Sequence, residues 1–281
     1  MRILVTGSSG QLGRTICQQL RPAHEVLGLD IKPGPATTRI GDVTDRAVVG
    51  DLIEGADAVI HTVSLHAPDL PRYPAAEFRR VNVEGTRQLL EAAARASTRR
   101  IVYTSTTSIY GHRLQPVGRA VWVTEELLPE PRDIYDETKL AAEELCRQFA
   151  DNEGLSAICL RPGRYFPEEP NLLATYRLYR GVDVRDAAAA HVLALGAPHD
   201  GFAIFNVSAL SPFDPSDLEE LYRNAPATIG RYFPGAAAVF RERGWRLPLS
   251  IDRVYVIERA QMSLGYQPKY NFAEILTAGL G

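Results

Sequence analysis

Of the 31 basic residues in this 281-residue chain only three are lysine: Lys32, Lys139 and Lys269. A solvated helix face in such a sequence carries arginine, so each lysine calls for a reason. Cysteine is as scarce. Cys17, Cys146 and Cys159 are odd in number and lack Cys-x-x-Cys spacing, which excludes a disulfide framework and reads as small buried side chains in a reducing compartment. The six histidines are dispersed, and His61 with His66 lacks the companions of a zinc site, so no metal is expected. No stretch approaches the roughly 18 apolar residues of a membrane span. Met1 enters a strand pattern directly, without the apolar core of a signal peptide, and a cytoplasmic location is expected. Positive charge is not in excess either. A net charge of −3 and a pI near 6.1 leave no electrostatic footprint for nucleic acid or an anionic membrane. Internal repeats and low-complexity tracts are absent.

What is present suits one large domain or two modest ones, with hydrophobic residues at 45% and charged residues at 23%, so nothing suggests disorder. Residues 2–6 are a short run of β-formers. Gly7-Ser8-Ser9-Gly10-Gln11-Leu12-Gly13 follows, and then a helical pattern over 15–20. Strand, glycine turn and helix in that order form an anion cradle. Gly7 permits the tight turn, Gly10 lets the backbone approach a pyrophosphate, and Gly13 lets helix and strand pack closely. The helix start, around Gln11 and Leu12, offers unpaired N–H groups. The spacing is Gly-x-x-Gly-x-x-Gly, a variant of the dinucleotide fingerprint, and a generic strand-helix turn is the alternative. Asp30 ends the second strand, roughly 20 positions past the glycines, where an acid bonds the adenosine ribose hydroxyls. That favours NAD, while Lys32 and Arg39 leave NADP open. Asp42, with Val43 beside it, is placed to address the adenine amino group. The helix over 46–53 is capped by Thr44 or Asp45.

Ala58-Val59-Ile60-His61-Thr62-Val63-Ser64 is nearly continuous in apolar character, as a strand buried on both faces should be. A helix over 78–94 contains Gly85, whose cost of about 1 kcal/mol implies close packing against a neighbour. The strand over 100–105 runs into the hydroxyls of Thr106, Thr107 and Ser108 at the carboxyl edge of the sheet. Ligands bind there, although a turn rich in local bonds is an equal reading. Strands at 157–162 and 203–207 continue the pattern. The expected class is α/β, a doubly wound parallel sheet. Its NAD-binding domain spans 1–165, with 181–207 returning to the sheet, and a small, mostly helical substrate-binding cap comes from 166–180 and 208–281.

Asp133-Ile134-Tyr135-Asp136-Glu137-Thr138-Lys139 opens a further helix, with Tyr135 and Lys139 on one face. A phenol near its reference pKa of about 10 is a poor base at neutral pH. A shift of roughly three units needs about 4 kcal/mol, much of which a fixed cation one turn away can supply. A chance surface pair is the alternative. Composition argues against it, since no other of the 12 tyrosines is followed four residues later by lysine.

In order, the glycine turn, Asp30, Gly41-Asp42-Val43-Thr44-Asp45, Asn82-Val83-x-Gly85-Thr86, Thr104-Ser105-Thr106, Tyr110-Gly111, Tyr135-x-x-x-Lys139 and Arg161-Pro162 form a series. It resembles the extended short-chain dehydrogenase/reductases, the NAD-dependent epimerase/dehydratase family. The resemblance covers residues 1 to about 207 and is looser over the cap, where Leu264-Gly265-Tyr266-Gln267-Pro268 looks like the family's closing segment. It implies that Tyr135 is the general acid/base and that Lys139 lowers its pKa and holds the nicotinamide ribose. Thr106 occupies the position of the substrate-binding Ser or Thr, with Ser105 the competing choice. The backbone at Thr62 and Val63 would flank the adenosine side of NAD, and a homodimer would form through the helices at 78–94 and 135–150.

The implied activity is hydride-transfer oxidation or epimerisation at a sugar or sugar-derivative hydroxyl. Dehydration is disfavoured because Asp136 and Glu137 belong on other helix faces than Tyr135. Only 23 residues separate Pro162 from Asp186, which implies a small pocket, and Glu168-Glu169-Pro170-Asn171 is similar to uronate dehydrogenases. Arg164, Arg177 and Arg180 are candidates to hold a sugar-acid carboxylate, against surface solvation for any one of them. A non-catalytic NAD-binding sensor is the alternative of a different class, and the presence of both Tyr135 and Lys139 argues against it.

Overall fold

The computed structural model describes residues 1–277; residues 278–281, the end of the expected cap, lie outside the described residues. The chain begins with strand β1 (Arg2–Thr6), helix α1 (Gln11–Leu20) and strand β2 (Glu25–Asp30). Helix α1 starts earlier than the periodicity predicts, because extended Gly10 serves as its N-cap and Gly13, unfavourable in a helix by propensity, is held there by close packing on the Gly7 backbone. Strand β3 (Arg39–Ile40) is too short for a period to register. Asp45, not Thr44, caps helix α2 (Arg46–Ile53), its carboxylate accepting the N–H groups of Ala47 and Val48.

Strand β4 (Ala58–His61) leads to a helical run expected as one helix. It consists of α3 (Ala75–Phe78), a wider π-helical stretch over Arg79–Glu84, and α4 (Gly85–Arg95). Gly85 packs closely, as expected: a Cβ there would lie 2.9 Å from Val43 Cγ1. The chain continues through β5 (Arg100–Thr104), β6 (Val121–Val123), α5 (Ile134–Glu153), β7 (Ser156–Pro162), α6 (Pro170–Arg177), α7 (Val184–Gly196) and β8 (Phe202–Val207). It ends with α8 (Leu218–Tyr232), α9 (Ala236–Glu242), β9 (Arg253–Tyr255), α10 (Glu258–Leu264) and α11 (Phe272–Thr277).

Seven strands form one sheet in the order β3-β2-β1-β4-β5-β7-β8, with parallel pairing from β3 through β7. Leu4 sits opposite Leu27 and Val59, and Ile101 opposite Val59 and Ala157. The doubly wound order reverses between β1 and β4, so the carboxyl ends of those strands border the crevice where such sheets bind ligands. Leu4, Val59, Ile101 and Ala157 pack with Val49, Ile53, Leu89, Leu90, Ala142 and Leu145 in one buried cluster. The alternate residues Ile3, Val5, Ile60, Val102 and Ile158 are buried too, which is why these strands read as continuous apolar runs. Each such large side chain contributes about 1.5–3 kcal/mol by burial.

The chain divides into two compact units, the first comprising Met1–Ile109, Pro131–Arg161 and Ala188–Phe205. The second comprises Tyr110–Glu130, Pro162–Ala187 and the chain from Asn206 onward. It has its own core of Leu218, Leu221, Ile229, Phe240, Ile251, Val254 and Phe272. It also carries a two-stranded parallel sheet of β6 and β9, three residues each and invisible to periodicity. Buried Asp186 accepts the N–H groups of Lys269 and Tyr270, both at 2.9 Å, and so pins the closing segment. Among the described residues no helix is long and apolar enough to cross a membrane.

Candidate active site

The glycine turn, the ends of β1, β2 and β4, the loop after β5 and the start of α5 all belong to the first unit. Gly7 has a φ of +76°, and its N–H donates to Leu29 O at 2.8 Å. A Cβ on Gly13 would lie 2.1 Å from Gly7 O, so α1 and the turn touch backbone to backbone. Gly10 caps α1 without a side chain, and a Cβ there would meet only Gly7 O at 3.2 Å. The first N–H groups of α1, around Gln11 and Leu12, therefore open onto an anion-sized cradle. Asp30 is fixed at its rim, one carboxylate oxygen accepting from Ser9 N–H and the other from Lys32 N–H, both at 2.9 Å.

Across the crevice the Thr62 hydroxyl donates to Thr6 O at 2.7 Å, and Val63 packs on the core with its side chain half-buried. Asp42 accepts from Thr44 N–H at 2.9 Å and from Arg80 at 3.3 Å. Burial pushes its carboxyl up, but the Thr44 bonds and the Arg80 guanidinium outweigh burial and hold it below the ordinary value. Val43 is buried beneath Gly85.

Tyr135 stands in the first turn of α5, which Asp133 caps by accepting Asp136 N–H at 3.0 Å. Both Tyr135 and Lys139 are buried. Lys139 Nζ donates to Thr104 O at 2.6 Å and lies 4.3 Å from the centre of the Tyr103 ring. Burial pulls its pKa down to about 7, against Glu143, Cys159 and Cys146, which draw it up. Ser105 is buried, its N–H bound to Leu160 O and its Oγ without a protein partner. Thr106 is half-buried, and its Oγ1 accepts from Ser108 N–H at 3.1 Å.

A phenol and an ammonium one helical turn apart, beside a strand edge that offers hydroxyls, can exchange a proton with a bound alcohol. The sequence series that carries these parts matches the model of the NAD dependent epimerase/dehydratase family over residues 3–173. The chain belongs to that family. The chain is 27% identical, over an alignment 326 positions long with its gaps, to 3-beta-hydroxysteroid dehydrogenase of Mycolicibacterium neoaurum, covering 96% of this chain and 87% of that protein. It is 28% identical to uronate dehydrogenase of Pseudomonas syringae pv. tomato over 60% of this chain and 62% of that one. The fold matches the crystal structure of a short-chain dehydrogenase/reductase superfamily protein from Agrobacterium tumefaciens with bound NAD. The TM-score is 0.72 at 24% identity, covering 98% of this chain and 95% of the other.

Several supports of the family's site were not assigned from sequence. Buried Asn82 clamps the loop after β4, accepting Leu65 N–H at 2.7 Å and donating to Leu65 O and Thr138 Oγ1, both at 3.0 Å. Thr138 donates in turn to Tyr135 O at 3.0 Å. The clamp sets His66 against Tyr135, with ring centres 5.9 Å apart. Burial, then the charge of Lys139, lowers His66 to about 4, with Asp69 opposing. His61 is wholly buried between Thr6 Oγ1 at 2.6 Å and Thr86 Oγ1 at 3.0 Å; burial, then Lys139, pulls it down to about 3. An isolated Asn or His in an apolar stretch was the available signal, but only the fold shows what each one faces.

Asp136 is fully buried, its Oδ2 accepting from Arg132 Nε at 3.1 Å, while Arg132 Nη2 donates to Ser108 Oγ at 2.7 Å. Glu137 is largely exposed, 3.8 Å from Arg79. In the second unit, Arg177 departs from the surface role weighed for it: it is buried, donating to Asp183 at 3.2 Å. Arg164 pairs with Glu168, and Arg180 lies 4.6 Å over the Tyr176 ring. Among the described residues no group of three or more His, Cys, Asp or Glu could hold a metal ion.

Proposed function

We propose that this chain is an NAD-dependent oxidoreductase or epimerase acting on a hydroxyl of a sugar or sugar derivative, with Tyr135 as general acid/base. The observation that carries the reading is the buried Lys139, bonded to Thr104 O on the same helix face as Tyr135. The first unit fits NAD. The cradle at Gly7, Gly10 and Gly13 leaves backbone room that a Cβ would fill, the first N–H groups of α1 suit a pyrophosphate, and Asp30 suits ribose hydroxyls. Asp42 and Val43, with the backbone at Thr62 and Val63, would border the adenosine. An acid at Asp30 favours NAD over NADP, whose extra phosphate it would repel.

Bound in that cradle, NAD would supply the hydride acceptor for the carbon that bears the substrate hydroxyl. Tyr135 takes the proton of that hydroxyl. The Lys139 ammonium stabilises the phenolate and holds the nicotinamide ribose. Thr106, the more open of the two candidate hydroxyls, holds the substrate oxygen, while the Ser105 hydroxyl is buried and only its backbone N–H is bonded at the strand edge. Asp136 is engaged by Arg132 rather than poised beside Tyr135, which favours oxidation or epimerisation over dehydration. The likeness to a uronate dehydrogenase supports a second, narrower reading, oxidation of a free sugar acid. The second unit is then the substrate-recognising part.

Free buried thiols at Cys17, Cys146 and Cys159 suit a cytoplasmic setting. A groove of about 480 Å³ between the 75–95 helical run and α5, lined by Ala76, Val83, Ile134 and Ala141, favours pairing with a second copy through this face.

The test is NADH formation across uronic acids, free aldoses and nucleotide sugars, with NAD and NADP run separately. Net reduction with a sugar or sugar acid is the expected result for a dehydrogenase, and a new epimer without net reduction for an epimerase. Tyr135→Phe should abolish turnover and leave NAD affinity nearly intact. Retained activity in that variant would sink the mechanism.

A further inference from the structure

The interior of the first unit holds a second pair of charges that the proposed reaction does not touch. Glu143 lies one turn past Lys139 on α5, and Arg161 lies near the end of β7. Arg161 Nε and Nη2 donate to the two carboxylate oxygens of Glu143 at 2.9 and 2.6 Å, and both side chains are 3% exposed. Burying such a pair is a costly way to fix a helix on a strand, because apolar residues of similar volume often do as well or better. A use for the charge itself would account for it. Tyr135, Lys139 and Glu143 recur four residues apart and so form one stripe along α5.

We infer that Glu143, held by Arg161, is a positioning residue for Lys139, supplying the negative field that keeps the Lys139 side chain an ammonium directed at Thr104 O. Its consequence for catalysis rests on the reading of Tyr135 and Lys139 proposed above. The other groups facing Lys139 do not supply that field. From β5 comes the Tyr103 ring, its phenol held well above the ordinary value by burial. From β4 and the loop after it come His61 and His66, both held neutral by burial. Cys146 on α5 and Cys159 on β7 draw Lys139 up less than Glu143 does, and burial pushes the Cys159 thiol well up. Glu143 is the carboxylate of this set, and it heads the groups that oppose the burial of Lys139.

The scarcity of lysine makes the test direct. With carbon-13 at the lysine ε position, the three lysines give three resonances, and Lys139→Met identifies the one to follow. In Glu143→Gln the titration midpoint of Lys139 should fall by about one pH unit or more. Glu143→Asp should recover part of the loss. Because the Gln variant strips Arg161 of its carboxylate and could unfold, the double variant Glu143→Leu with Arg161→Met replaces the pair by apolar residues. It should show a smaller fall, because the Arg161 cation leaves together with the carboxylate. A midpoint unchanged in any folded one of the Gln or double variants overturns the inference. The titration uses neither NAD nor substrate, so it fails or holds independently of the proposed reaction. Absence of turnover in the unsubstituted chain would count against that reaction alone.

Discussion

Replacing Lys139 by methionine should make the protein more stable at neutral pH while abolishing turnover. Burial lowers the Lys139 pKa from 10.5 to about 7. Below pH 7 both folded and unfolded chains carry the proton, and the folded state bears the full cost of the buried charge, roughly 5 kcal/mol. Between pH 7 and 10.5 the unfolded chain binds more protons, so stability rises with pH and the cost fades. At pH 7 the remaining cost is about 4 kcal/mol and at pH 9 about 2 kcal/mol. Methionine is nearly isosteric with the lysine stem and carries no charge. It leaves Thr104 O without its donor, a loss of about 1 kcal/mol. The net gain for Lys139→Met is then about 3 kcal/mol at pH 7, shrinking to about 1 kcal/mol at pH 9. Urea unfolding of both proteins at the two pH values, with equal m-values, measures it. A variant less stable than the parent at pH 7, or a gain that does not shrink by pH 9, would refute the argument.

Asn82→Leu removes both partners of the Leu65 backbone and one of Thr138, so unfolding free energy should fall by about 3 kcal/mol, read as a lower urea midpoint. Gly13→Ala forces a methyl against Gly7 O, 2.1 Å from its ideal position; a loss of about 2 kcal/mol in stability and weaker NAD binding are expected, by thermal melting and NAD titration. Ala141→Glu places a charge in the groove between the 75–95 run and α5. If copies pair through that face, sedimentation should show the parent as a dimer and the variant as a monomer, whereas equal masses would remove the groove as the interface.

Much of the first unit was legible because its signals are local. The run from Arg2 to Thr6, the three glycines, Asp30 and the Tyr135 and Lys139 spacing each state a backbone requirement or a helix face within a few residues. Elements that escaped are those whose cause is distant. Strands β3, β6 and β9 have two or three residues each and exist because a neighbour offers hydrogen bonds. The π-helical stretch at Arg79–Glu84 comes just where Asn82 must reach both Leu65 and Thr138. The fate of Arg177 was equally invisible, since burial beside Asp183 depends on a turn that brings residues 177 and 183 together.

The same division decides where mutations will hurt. The site gathers Lys139, His61, Asp136 and the Glu143 and Arg161 pair into an apolar interior, each at a desolvation cost that only its partners and the surrounding core offset. Apolar substitution at Lys139 therefore relieves a cost and removes chemistry, whereas substitution at Asn82 or Gly13 removes the support that lets the cost be borne. Stability and activity should accordingly move in opposite directions for Lys139 variants and in the same direction for Asn82 and Gly13 variants, which separates the chemical stripe of α5 from the scaffold that presents it.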